Sequence, residues 1–335
     1  MKHKILLLLP IMAFLATLPI RLYATNEYLS PNETVWFRYP AKSWSEQALH
    51  IGNGYMGASF YGEVEKERLD IAEKTFWAGG PHAAPDFNYG IIKGGKDKIA
   101  TIRQLIVERR FAEADSLSRI YMTGDYTNYG YFSMVGNLWI DFGKNKQPVQ
   151  NYLRGIDLST SRGFVEYTQG GVQFNREYFC SYPDKLMALH FTADKAGKIS
   201  FSLSHSLVYP PEEVIESENG LTFNGIIRKN GLSYTIRIKI VQQGGSVKVA
   251  HQRIVVEKAN EATVFYAVDT EYAPVYPLYK GENPQQNTGK VITKAITKGY
   301  ETVKNTHISD YQTLYNRVRF TLTGDTASEQ LPTCL

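Results

Sequence analysis

Apolar and polar residues alternate through much of the middle of this chain. Ile199, Phe201 and Leu203 alternate with Ser200, Ser202 and Ser204. Tyr234, Ile236, Ile238 and Ile240 alternate with Thr235, Arg237 and Lys239. A period of two puts each set on its own face of a strand, so both runs predict half-buried strands. Val247–Ala250, Ile254–Glu257 and Thr263–Val268 predict three more. Phe164–Thr168 and Val172–Tyr178 flank Gln169-Gly170-Gly171 and predict a hairpin. Many strands at short spacing from Phe132 to about Tyr272 predict a large β-sandwich, a mainly β fold.

Helical periodicity occurs twice. Ile99, Ile102, Leu105, Ile106, Leu117 and Ile120 recur at about 3.6 residues and predict one helix over Lys98–Tyr121, ended by Gly124. Val291, Ala295, Ile296, Tyr300 and Val303 predict a second over Val291–Lys304, continued by Asp310–Arg317. Before the strands, Tyr28–Gly62 is extended and aromatic. Within it Ile51-Gly52-Asn53-Gly54-Tyr55-Met56-Gly57 is a turn-rich run entering the strand Ala58–Tyr61, because Asn and Gly tolerate positive φ. A second loop is expected at Trp77-Ala78-Gly79-Gly80-Pro81. The resulting division is 1–24 signal peptide, 25–284 β-sandwich, 285–320 helical linker and 321–335 a polar tail.

The signal-peptide reading rests on Lys2, His3 and Lys4 before the apolar run Ile5–Leu18, with Ala24 at a plausible cleavage position. That run is shorter than the roughly 20 apolar residues of a spanning helix. It implies a secreted or periplasmic chain with no membrane contact after cleavage. The chain has 37 Lys+Arg and 33 Asp+Glu. Without Lys2, Lys4 and Arg21, 34 basic residues face 33 acidic, a balance that argues against nucleic-acid binding. Hydrophobic residues make up 43% of the 335, enough for a substantial core. Cys180 and Cys334 do not form a disulfide framework, and Cys180 reads as a buried small apolar residue. No Cys/His spacing suits zinc, and no cofactor is expected.

Candidate chemistry is sparse. Glu63, Glu65, Glu67, Asp70 and Glu73 lie among Lys66, Arg68 and Lys74 and read as a solvated strand and turn surface. Gly52–Gly57 spells G-x-G-x-x-G, but strand follows it, so it is not a dinucleotide site. Asn53 is a turn former whose amide could also bond a sugar hydroxyl. Trp77 before Gly79 and Gly80 could stack on a pyranose ring or anchor the loop, and His82 could titrate.

Five segments, in order, resemble the N-terminal domain of glycoside hydrolase family 95, the α-L-fucosidases. They are Ala48–Ala58, Thr75–Pro81, Val135–Phe142, Tyr152–Leu158 with the following hairpin Val165–Glu177, and Asp310–Val318. Departures include Tyr55 where the family usually has Arg, and Asn137 where it has Asp. The resemblance implies an antiparallel sandwich related to the galactose-mutarotase-like fold, followed by a helical linker. It implies an inverting enzyme whose catalytic groups lie in an (α/α)6 barrel beyond the linker.

The expectation is therefore a truncated chain that lacks this barrel, or is partnered by a separately encoded one, and is inactive alone. No residue here receives a catalytic role. Asn53, Gly54, Trp77, Gly79, Gly80 and His82 would shape a substrate entrance for a fucosylated oligosaccharide or glycan. The alternatives are a stand-alone carbohydrate-binding sandwich and a non-functional gene product.

Overall fold

The computed structural model describes residues 33–79, 92–123, 130–228, 230–320 and 331–333. These contain strands β1 (Thr34–Phe37), β2 (Leu49–Gly52), β3 (Met56–Phe60) and β4 (Lys66–Ala78), then helices α1 (Gly95–Val107) and α2 (Phe111–Tyr121). Next come β5 (Tyr131–Asp141), β6 (Val149–Asp157), β7 (Arg162–Gln169), β8 (Val172–Ser181), β9 (Leu186–Ala193) and β10 (Ile199–Leu207). Strands β11 (Glu213–Ser217), β12 (Gly220–Ile227), β13 (Leu232–Gln243), β14 (Ser246–Ala250), β15 (Arg253–Ala259) and β16 (Glu261–Thr270) follow. Helices α3 (Pro284–Lys298) and α4 (Tyr300–Tyr315) come last.

The strands form two antiparallel sheets. The nine-stranded sheet runs β1-β6-β7-β8-β9-β16-β13-β12-β11, and the seven-stranded sheet runs β14-β15-β10-β5-β4-β3-β2. Alternation explains the space between them. Ile236, Ile238 and Ile240 of β13 point inward and are fully buried, as are Leu69, Ile71, Leu138, Ile140 and Leu203 of the opposing sheet. Removing such side chains from water is the main stabilising term, about 1.5–3 kcal/mol for each large one. Gly136 of β5 is fixed by close approach: at its φ of 148° an added Cβ would lie 2.1 Å from the Ser206 carbonyl oxygen.

Strand β16 is buried on both faces, which accounts for its unbroken apolar run. Its second face meets the linker helices. Phe265 and Ala267, with Phe179, Leu186 and Ala188, pack on Ile292, Ala295 and Val303. Two ring stacks add to this seat, His190 on Tyr300 at 3.9 Å and Phe179 on His307 at 4.8 Å. Lys298 pairs with Asp184 at 2.6 Å. Thr333 lies beside β1, where its N–H donates to the Trp36 carbonyl at 3.0 Å.

Both helical expectations need correction. Lys98–Tyr121 is two helices, because Arg109 takes a left-handed φ of 60°. Its N–H donates to the Ile106 carbonyl and that of Arg110 to the Leu105 carbonyl, a Schellman closure with Arg where Gly is usual. Ile102, Leu105 and Ala114 form the buried contact, whereas Ile99, Ile106 and Ile120 are exposed. Gly124 lies outside the described residues.

The second helix begins earlier, at Pro284, with the Asn283 side chain accepting from the Gln285 and Gln286 N–H groups. It breaks at Gly299, where φ is 76°. Ile292 takes the buried place expected of Ile296, which is exposed.

Candidate functional site

The register carries the Asn53 turn and Trp77 to one end of the sandwich. In the nine-stranded sheet, Ser181 pairs with Leu186, and Thr270 of β16 pairs with Tyr234. In the seven-stranded sheet, Gly52 pairs with Gly57, Met56 with Glu73, and Trp77 with Phe132. Bonds between the sheets show that these ends coincide. The Asn53 Nδ2 donates to the Ser181 carbonyl at 2.9 Å, and the Thr75 and Thr270 hydroxyls meet at 2.6 Å. We call this the near end.

Asn53 builds the turn from its own side chain. Its Oδ1 accepts from the Tyr55 N–H at 2.9 Å and the Met56 N–H at 2.8 Å. Gly54 supplies the positive φ of 77°. The carboxamide is thus committed to the turn and to tying β2–β3 onto β8. Its neighbour Tyr55 reaches across the sheets, where its hydroxyl donates to Asp269 Oδ1 at 2.9 Å. Asp269 Oδ2 accepts from Asn287 Nδ2 of α3 at 2.9 Å.

Glu73 lies beneath this network, fully buried. It accepts from the Thr75 hydroxyl at 2.6 Å and the Thr75 N–H at 3.0 Å. Burial raises its pKa to about 7, the Thr75 hydrogen bonds oppose the rise, and the Asp269 charge adds to it. Burial and the two carboxylates also push the Tyr55 hydroxyl far above its ordinary range.

The acidic stretch is therefore not a solvated surface throughout. Glu63 and Glu65 are exposed, but Glu67, Asp70 and Glu73 are buried. Asp70 is paired with Arg68 at 2.8 Å and accepts from Tyr61 and Asn137. The sequence held a signal for two of these acids. Glu67, Leu69, Ile71 and Glu73 share the inward parity of one strand.

Trp77 is the penultimate residue of β4, not a loop residue, and is 42% exposed. Its indole Nε1 donates to the Lys74 carbonyl at 2.8 Å, and its ring meets Phe132 edge-on at 6.1 Å. Asn230 Nδ2 holds the Trp77 carbonyl at 2.6 Å. Gly79 follows at a φ of 77°. Gly80 and His82 lie outside the described residues. Lys74 joins the two features, since its ammonium stands 5.1 Å from the centroid of the Tyr55 ring.

Two cavities open at the near end. One of about 640 Å³ is lined by Tyr55, Lys74, Asp269, Asn287 and Lys290, between the strand ends and α3. The other, about 390 Å³, lies between the Gly52-Asn53 turn and α4, where Tyr182, His307, Asp310 and Tyr311 line it. His307 donates through Nε2 to the Thr160 carbonyl at 3.0 Å, and burial lowers its pKa. Carboxylates, amides and hydroxyls beside exposed aromatic rings suit a ligand of many hydroxyls with apolar ring faces. Among the described residues no group of three His, Cys, Asp or Glu is placed to hold a metal ion. Asp269, Asn287 and Tyr311 were not foreseen as site residues, because only tertiary contact brings them to the Asn53 turn; Tyr55 lies in that turn, but its bond to Asp269 had no local trace.

Residues 35–274, well over half of the 335, match the family model of the glycosyl hydrolase family 65 N-terminal domain, and the chain belongs to that family. It is 28% identical over 318 residues to "Probable alpha-fucosidase A" of Aspergillus niger, covering 90% of this chain and 39% of that protein. It is also 28% identical over 321 residues to "Alpha-L-fucosidase 2" of Arabidopsis thaliana, covering 88% and 37%. The resemblance to the family 95 α-L-fucosidases therefore holds, and the chain spans about two-fifths of these relatives' length. A solved structure described as "Putative kojibiose phosphorylase from human microbiome" matches 79% of this chain and 35% of its own at 10% identity, with a TM-score of 0.49.

Proposed function

We propose that this chain is the N-terminal sandwich and linker of a secreted, inverting α-L-fucosidase-like hydrolase acting on fucosylated glycans. The observation that carries the reading is the similarity to named fucosidases along about nine-tenths of the chain. The near end supports it. The linker helices, the Asn53 turn and Trp77 share that end, so a catalytic domain following α4 would meet all three. Asn53 and Gly54 would fix the wall of a substrate entrance, and Trp77 with Gly79 would form its rim; Gly80 and His82, also expected there, lie outside the described residues. Secretion rests on the leader pattern of residues 1–24, which lie outside the described residues. Among the described residues no helix is long and apolar enough to cross a membrane.

On this reading the acid and base of hydrolysis belong to the (α/α)6 barrel, and the chain alone releases no fucose. Incubation of the pure chain with 2′-fucosyllactose, followed by assay of free fucose, tests this. Sustained turnover that scales with protein concentration would overturn the assignment of catalysis to another domain.

A further inference from the structure

The end of the sandwich opposite the Asn53 turn carries a separate cavity. There β7 turns into β8 at Gly170-Gly171, β5 ends at Asp141 and β10 begins at Ile199, so both sheets share the mouth. It encloses about 300 Å³, within the size range of small-ligand sites. Phe142, Tyr167, Phe174 and Phe191 line it. Tyr167 and Phe174 are stacked at 5.2 Å with 22° between their planes, and Phe174 is half-buried.

The charge of this cavity is one-sided. Arg176, 2% exposed, lines it with its guanidinium 3.6 Å from the Phe142 centroid. Its N–H groups donate to the Glu63 and Val64 carbonyls at 2.6 Å and to the Tyr167 hydroxyl at 2.8 Å. Its ion-pair partner Glu67 stands 4.0 Å away, outside the lining. Lys198 supplies a second cation at an exposed position. Among the described residues no carboxylate lines this mouth, whereas Asp269 and Glu282 line the larger cavity at the near end.

We propose that this mouth binds a pyranose bearing a carboxylate, a uronic acid unit of a glycan. Aromatic side chains take the apolar face of the ring, while the Asn145 Nδ2 supplies a donor and the Gln169 Oε1 an acceptor for its hydroxyls, the other atom of each carboxamide being bonded to the Gln147 backbone. With the Arg176 charge offset by Glu67, the exposed Lys198 sets the sign of the ligand and reaches its carboxylate. The site is independent of the fucosidase reading, since it uses none of the near-end residues.

The test is a calorimetric titration of the chain, at low salt, with methyl β-D-glucuronide and with methyl β-D-glucoside. The two rings differ only in the carboxylate. The glucuronide is expected to bind at least about tenfold more tightly, as for a charge-assisted contact. Lys198→Glu changes an exposed residue and should abolish that preference. Phe174→Ala should weaken the glucuronide by about tenfold through loss of ring contact. Equal binding of the two sugars, binding of neither, or a preference that survives Lys198→Glu overturns the proposal. If Phe174→Ala lowers the melting temperature enough to unfold the chain, Lys198→Glu decides alone.

Discussion

Strand β4 carries one buried glutamate toward each end of the sandwich, and the two sit in opposite surroundings. Glu67, at the far end, accepts from the Tyr61, Gly62 and Arg68 N–H groups and faces the Arg176 guanidinium. Glu73, at the near end, has the Thr75 hydroxyl and N–H, with a second carboxylate, Asp269, close enough to raise its pKa. Burial raises both pKa values to about 7. The far end thus offsets an internal acid with a cation that also lines an open mouth. The near end gathers acids and hydroxyls under the linker. One strand therefore separates a cavity whose charged lining is cationic from one lined by both signs, Lys74, Lys185 and Lys290 beside Asp269 and Glu282.

The largest expected effect comes from breaking the far-end pair. Arg176→Met leaves Glu67 without its cation and should cost about 4 kcal/mol, read by urea unfolding. Glu67→Gln in the same chain should restore most of that loss. If the double variant is no more stable than the single one, the contrast between the ends is not electrostatic. Next, Asn53→Ala removes the hydrogen bonds that form the turn and hold it to Ser181. It should cost about 3 kcal/mol, at about 1 kcal/mol per bond, while far-end sugar binding stays unchanged.

The near-end acid makes stability depend on pH. The folded-state pKa of Glu73, about 7, lies above its ordinary 4.5, so the folded chain holds the proton more tightly. Its contribution is complete below about pH 4.5 and is lost as pH rises through about 7. Glu73→Gln should remove its share of this slope, a relative gain of about 2 kcal/mol at pH 8 over pH 5, and leave the share of Glu67, whose pKa burial also raises to about 7. His190 and His205 work in the other direction, because burial lowers both to about 4 from 6.5. Their contribution is present above pH 6.5 and falls as pH drops toward 4. The smallest effect is Arg109→Gly, which suits the left-handed residue between α1 and α2 and should stabilise that hairpin by about 1 kcal/mol. Slower amide exchange in α1 would show it.

Much of the fold was legible because alternation is a local signal. The sandwich, the Gly170-Gly171 hairpin and burial of Cys180 all appear where the pattern put them. The break at Arg109 was hidden, since a charged residue stood where glycine usually marks a helix end. Trp77 read as loop because Gly79 and Gly80 follow it, yet pairing with Phe132 extends the strand through it. Parity could have revealed Glu67 and Glu73, but their charge outweighed their position in a reading by composition. The meeting of Tyr55 with Asp269, 214 residues apart, had no local trace.

We propose that the near end serves fucosylated substrate while the acid and base lie in another domain. A proton–nitrogen correlation spectrum of the chain titrated with 2′-fucosyllactose, with the sugar anomeric protons followed in the same tube, tests it most directly. Shifts are expected at the Trp77 indole and the Asn287 side-chain amide, with none at Asn145 or Gln169, and no free fucose. Free fucose accumulating with time, or shifts confined to the far end, would contradict it.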